Sequence, residues 1–194
     1  VTAKDIFKIT LNLVIIYVVG GLILAAVYAT TQPVIVKKTI EEKRAALKAM
    51  MPDATSIDKM GIWKPHEKEA EYYIAKKDGK PIGYIIESYA KGYSSYINML
   101  IAVNDALTVE KINILEQHET PGLGDEIEEP YFQKQFAGKT LDHLVVRKLP
   151  TDVDIQAVSG ATISSRAVTE DGVKKGVEML KEKLSSEVKN EPAN

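Results

Sequence analysis

Two short segments carry residue types suited to holding a phosphorylated, planar ligand. The first is Ser159-Gly160-Ala161-Thr162-Ile163-Ser164-Ser165, a run of small residues and hydroxyls between an expected strand and the last long helix. Small residues let a backbone approach a ligand closely. A helix start adds free N–H groups and the positive end of the helix dipole, both suited to phosphate. Ser164 and Ser165 stand where they would cap that helix or bind phosphate oxygens, and Thr162 presents a hydroxyl at the same place. Read alone, the segment is more simply a serine-capped helix start. The second segment is Glu119-Thr120-Pro121-Gly122-Leu123-Gly124. Pro-Gly favours a turn with positive φ at the glycine. Two glycines around Leu123 would let the loop lie flat against a planar ring. Alone, this too is only a turn.

Other chemical motifs are weaker. Gly138-Lys139-Thr140 ends like a phosphate-binding loop, but position 133 is Gln where that motif requires Gly. His66-Glu67 and His118-Glu119 lack the second histidine of a helical zinc motif, and the three histidines are far apart. They read as surface or hydrogen-bonding residues. No G-x-S-x-G elbow is present, which argues against a serine hydrolase.

The elements that must position these segments follow from hydrophobic periodicity. After Pro33, Thr39 and Glu42 have capping-box spacing, and Ile40, Leu47 and Met50 form an apolar stripe, so a helix is expected to end before Pro52. Trp63 and Pro65 are expected in a loop. Residues 71–90 have a hairpin pattern with Asp78-Gly79 as its turn. Ile97, Met99, Ile101 and Val103 alternate onto one strand face, as do Ile112 and Ile114. Residues 126–136 read as partly helical, and residues 141–149 and 154–160 as two further short strands. A last helix is expected from near Ser164, with Val173, Val177, Leu180 and Leu184 on one face.

The 194 residues are 45% apolar and 27% charged, with a formal net charge of -2. That balance argues against a nucleic-acid binder, which needs a strongly basic face. Cysteine is absent. Disulfides, thiolate zinc sites, cysteine nucleophiles and iron–sulfur ligation are therefore excluded together. The mean hydropathy of -0.12 averages two unlike parts. From Ile9 to Val36 there is no charged residue, and about 20 apolar residues suffice to cross a bilayer as a helix. The run exceeds the ~7–15 residues of a signal-peptide core, so a retained membrane anchor is expected despite an A-x-A-like match near Ala25, Ala26 and Ala29. Gly21, Ala25 and Ala29 recur on one helical face, which would let a partner helix approach closely in lipid. Lys4 and Lys8 precede the span, while Lys37, Lys38, Lys43 and Arg44 follow it, a count that mildly favours the C-terminal side in the cytoplasm.

Taken together and in order, the apolar helix, KGYSSYINMLIAVN, EQHETPGLGD and SGATISS are placed as in one family. SGATISS resembles the S-G-A-T-x-S/T flavinylation motif, with Ile163 at its variable position. The chain resembles the FMN-binding G subunit of the Rnf complex, and its relative NqrC of the sodium-translocating NADH:quinone reductase. The compact chain and the HETPGLGD form look more like the former.

The periodic segments make an α+β fold, an N-terminal transmembrane helix followed by a domain on a mainly antiparallel sheet with flanking helices, and the resemblance implies that this domain binds FMN. The expected division is an anchor at 1–36, a helix and linker at 37–69, the FMN-binding domain at 70–186 and a frayed tail at 187–194. It implies FMN held covalently through a phosphoester to Thr162 and installed from FAD by a flavin transferase. Ser159, Gly160, Ala161, Ser164 and Ser165 would surround the phosphate, and Glu119 to Gly124 would contact the flavin. Tyr93 and Tyr96 are candidate ring neighbours or plain strand-packing residues. The implied protein relays electrons in an ion-translocating ferredoxin/NAD oxidoreductase and is catalytically incomplete alone. Its partners would be other membrane and redox subunits and the lipid bilayer. Its location would be a bacterial or archaeal cytoplasmic membrane, with the soluble domain on the extracytoplasmic side, against the lysine and arginine count. An NqrC-type subunit with quinone as eventual acceptor, and a non-redox membrane-anchored binding or assembly domain, are the alternatives.

Overall fold

The computed structural model describes residues 3–190, with side chains through Ser186. The last four residues of the expected tail lie outside the described residues. The chain divides into two compact units, Val1–Ala46 and Leu47–Asn194.

The first unit belongs to α1 (Ala3–Met50), the one described helix long and apolar enough to cross a membrane. Its apolar side chains, from Ile6 through Val36, are exposed. At ~1.5 Å per residue the charge-free part spans about 40 Å, more than the ~30 Å hydrocarbon core. The helix runs through Pro33 without ending. Proline removes one N–H donor there. Upstream of that point, Thr30 donates to the carbonyls of Ala26 and Val27 at 3.1 and 2.9 Å, and Thr31 also bonds Val27. The capping box expected at Thr39 does not form. Thr39 lies inside the helix and donates to the carbonyl of Ile35 at 3.0 Å, because the helix has no break at which a cap is needed.

The second unit is built on a five-stranded antiparallel meander. Its strands are β1 (Ser56–Trp63), β2 (Ala70–Lys77), β3 (Lys80–Lys91), β4 (Tyr96–Val103) and β5 (Val109–Glu116), in that spatial order. Asp78 and Gly79 join β2 to β3 with φ of 52° and 80°. Two positive φ values define the primed turn whose twist matches an antiparallel pair. β1 corrects the expectation of a loop around Trp63. None of its residues is buried and its exposure hardly alternates, and Trp63 is held by its indole N–H donating to the Glu87 carbonyl at 2.8 Å. Ile97, Met99, Ile101 and Val103 share one buried face with Ile112 and Ile114, as their alternation predicts.

The C-terminal helix covers this face. It begins as α3 (Thr162–Arg166), widens into a π-helical stretch (Ala167–Lys174) and continues as α4 (Lys175–Asn190). Val173, Val177 and Leu180 are fully buried in the same core. Contact is close because the helix presents glycines. A Cβ on Gly172 would stand 2.5 Å from Met99 Cε, and one on Gly176 3.1 Å from Ile101 Cδ1. Ser88 on β3 donates to the Gly172 carbonyl at 3.1 Å inside that contact. His66 Nε2 meets Asp171 Oδ2 at 2.5 Å and ties the β1–β2 connection to the same helix. Between β5 and this helix the chain makes short turns, α2 (Pro130–Gln133), and a two-residue parallel pair of β6 (Val146–Arg147) and β7 (Ile155–Gln156).

Candidate functional site

Three segments distant in sequence converge at the start of α3. The β3–β4 connection supplies Gly92–Ser95, closed by the Gly92 N–H donating to the Ser95 carbonyl at 2.8 Å. The loop after β5 supplies Glu119–Gly124. Its turn has Gly122 at φ 72°, as Pro121-Gly122 predicts, and the Thr120 carbonyl accepts from the N–H groups of Leu123 and Gly124 at 3.1 and 2.9 Å. The strand-to-helix turn supplies the third, with Gly160 at φ 78°. A Cβ on Gly160 would lie 2.9 Å from Leu123 Cδ2, so the second and third segments touch through this glycine.

Between them is a cavity of about 530 Å³, lined by Tyr93, Thr120, Leu123, Gly124, and residues 160–164. A second, more polar cavity of about 760 Å³ lies beyond it, lined by Tyr131, Lys148, Gln156, Ser159, Gly160 and Thr162 among others. Thr162 and Gly160 border both. The helix start carries no side-chain cap. Ser165, expected as a cap or phosphate ligand, is instead fully buried; its hydroxyl accepts from the Val158 N–H at 3.0 Å and donates to the Ala161 carbonyl at 2.9 Å. Ser164 donates its hydroxyl to Glu119 Oε2 at 2.6 Å. Both serines thus brace the turn from inside and leave the first-turn N–H groups without side-chain acceptors. Those groups and the Thr162 hydroxyl suit a phosphate, while Tyr93, Leu123 and Ile163 suit an apolar ring.

Of the expected residues, Thr162, Gly160, Ala161, Ser164, Thr120, Leu123 and Gly124 line the smaller cavity, and Ser159 lines the larger. Pro121 and Gly122 form the turn behind it. Tyr93 lines the cavity and is 70% exposed. Tyr96 is elsewhere: its ring meets His66 at 5.9 Å and Lys68 Nζ at 4.7 Å.

Glu119 occupies a place of its own, only 6% exposed. Its Oε1 accepts from the N–H groups of Ser94 and Ser95, each at 3.0 Å, and from the Ser95 hydroxyl at 3.3 Å. Its Oε2 accepts from the Tyr93 N–H at 2.9 Å and from Ser164. Sequence reasoning overlooked Ser94 and Ser95 as its partners; the small polar run before β4 was the available signal. Burial works to raise the Glu119 pKa, but the Ser164 hydroxyl and the N–H groups of Tyr93, Ser95 and Ser94 outweigh it and hold the carboxyl below its ordinary 4.5. A lowered folded-state pKa stabilises the fold above the unfolded value, and that contribution disappears as pH falls through the folded value. Unfolding midpoints measured from pH 7 down to 3 should therefore fall below about pH 4.5 more steeply for the wild type than for Glu119→Gln. Parallel curves would remove Glu119 as the cause.

Comparison with known proteins places this architecture in a class. Residues 92–178, which contain all three segments, match the FMN-binding domain family. The chain is 38% identical over 178 residues to the G subunit of the proton-translocating ferredoxin:NAD(+) oxidoreductase complex of Clostridium ljungdahlii, covering 91% of this chain and 92% of that protein. It is 30% identical to the G subunit of the Na(+)-translocating ferredoxin:NAD(+) oxidoreductase complex of Acetobacterium woodii, covering 86% and 87% respectively. The chain belongs to the family of G subunits of these ion-translocating, Rnf-type complexes. The crystal structure of Shewanella oneidensis NqrC has the same fold, with a TM-score of 0.52 and 23% identity over 71% of this chain and 74% of that one.

Proposed function

We propose that this protein is a membrane-anchored electron carrier of an Rnf-type ferredoxin:NAD oxidoreductase, working through FMN joined covalently to Thr162. The observation that carries the reading is the position of Thr162: its hydroxyl stands at an uncapped helix start, on the border of an apolar cavity. Attachment would join Thr162 Oγ1 to the phosphorus of the FMN half of FAD. The pyrophosphate bond breaks, AMP leaves, and the hydroxyl proton goes to solvent. A flavin transferase would supply the FAD site.

The chain's own residues then have separable tasks. The N–H groups at the start of α3 bind the phosphate oxygens. Gly160 keeps the turn low enough for close approach, which a side chain would prevent at its φ of 78°. Tyr93, Leu123 and Ile163 cover the ring and exclude water from one side. The flavin itself supplies the redox chemistry, and the protein sets its orientation and surroundings. No thiolate is needed, in keeping with a cysteine-free chain.

The charge-free part of α1 would anchor the domain, with Gly21, Ala25 and Ala29 toward a neighbouring subunit's helix. The domain would lie on the extracytoplasmic side, since large domains cross largely regardless of nearby charge. The test is direct. The full chain, produced with its flavin transferase, is denatured and examined for flavin fluorescence on a gel and for the FMN mass increment. A colourless chain of unmodified mass would sink the proposal. Protease accessibility in sealed, right-side-out vesicles tests the orientation.

A further inference from the structure

We propose that Glu119 is a positioning residue that assembles the Thr162 site by gripping its three walls with one buried carboxylate. The inference rests on the flavin-attachment reading and deepens it, by identifying what holds the acceptor hydroxyl in place. Each wall comes from a different part of the chain. Glu119 belongs to the loop after β5 and is followed by Thr120, Leu123 and Gly124 of the cavity lining. Its Oε1 and Oε2 hold the β3–β4 connection through the N–H groups of residues 93–95, and Tyr93 carries the opposite wall. Through Ser164 it holds the first turn of α3, two residues from Thr162.

The surroundings are shaped to admit this carboxylate. A Cβ on Gly92 would lie 2.5 Å from Glu119 Oε1, and one on Gly124 would lie 2.7 Å from Glu119 Cβ and 3.0 Å from Ser164 Oγ. Two glycines therefore leave the room that the carboxylate and its hydroxyl partner fill. Hydrogen bonds to a carboxylate are about twice as strong as neutral ones. Leaving such donors buried and unpaired is costly. Glu119 does not line the cavity, and five donors already occupy its two oxygens. It therefore acts through Ser164 and Tyr93, with no direct part as a ring contact or as a base for Thr162.

The experiment uses the full chain, FAD and the flavin transferase, and follows covalent attachment by mass against chain concentration. Amide hydrogen exchange is measured in parallel. Glu119→Gln places an amide NH2 against backbone N–H donors whichever way it turns. The expected result is a kcat for attachment reduced about tenfold or more, with KM for the chain changed less than about twofold, and faster exchange at both 92–95 and 162–165. Ser164→Ala should lower kcat by a smaller factor and speed exchange at 162–165 alone. The double variant should be no worse than Glu119→Gln, because both cut the same connection.

A wild-type kcat and wild-type exchange in Glu119→Gln would overturn the inference while leaving flavin attachment standing. A raised KM with unchanged kcat would also overturn it, since that pattern marks fewer folded molecules with an intact site. If Glu119→Gln does not fold, Ser164→Ala decides, and an unchanged kcat there refutes the connection. If the wild type takes no flavin, the attachment reading fails by itself. The exchange data then judge the three-wall grip, which unchanged protection at 92–95 would refute.

Discussion

Thr162→Ala should carry no covalent flavin when produced beside an active flavin transferase, while folding as well as the wild type. The side chain is half-buried at the start of α3, caps nothing and borders two cavities. Its removal should change stability by no more than about 0.5 kcal/mol, the usual range away from packed or hydrogen-bonded features. Thr162→Ser keeps a hydroxyl but loses the β-branch that restricts χ1. It should accept FMN more slowly and still completely. Mass spectrometry of the denatured chains separates the three cases. Covalent flavin persisting at wild-type level in Thr162→Ala would place the attachment on another residue.

Phe132→Ala should give the opposite pattern, with a large loss of stability and intact chemistry in whatever remains folded. Phe132 is fully buried on α2 and meets Phe136 edge-on, with ring centroids 5.5 Å apart and planes at 72°. Truncating a buried phenylalanine costs about 3–5 kcal/mol through lost burial and the cavity left behind. Domains of this kind hold only ~5–15 kcal/mol in all. The melting midpoint should fall by roughly 6–20 °C, at ~2–4 °C per kcal/mol for this size. Flavin attachment should recover toward wild type on cooling, as the folded fraction returns. Calorimetry and attachment assays at two temperatures check this. An unchanged melting midpoint would show that α2 is not part of the cooperative core.

The two variants divide the molecule along the line that separates what sequence reading finds from what it misses. Regular periodicity is local, so the alternation on β4 and the face of α4 were readable and reappear in one buried core. The Asp78-Gly79 turn was readable because its required φ values leave few residue types. Strand β1 was not, since none of its residues is buried and no face of it leaves an alternating apolar pattern. Nor does the helix start expected at Thr39 exist, since the apolar helix continues unbroken to Met50. Pro33 and the Thr39 spacing are both local stop and start signals, and an otherwise continuous helix overrides them.

At the site, residue types alone allowed a phosphate near Thr162 and a planar ligand near Leu123, but they read as simply as a capped helix start and a turn, because hydroxyls, glycines and a helix start serve both ends. The order of motifs along the chain determined the family. The sequence by itself thus determined most of the elements, the anchor-like helix and the candidate acceptor hydroxyl, all of which depend on neighbours a few residues apart. Only the tertiary structure decided how they meet. It turned Ser164 and Ser165 inward, moved Tyr96 away from the cavity, and made Glu119 a buried hub joining residues 93–95 to residue 164. The hydrogen bonds of the Glu119 carboxylate span 24 to 45 positions of sequence. No local pattern encodes such contacts, because they exist only after the sheet has brought the loop ends together.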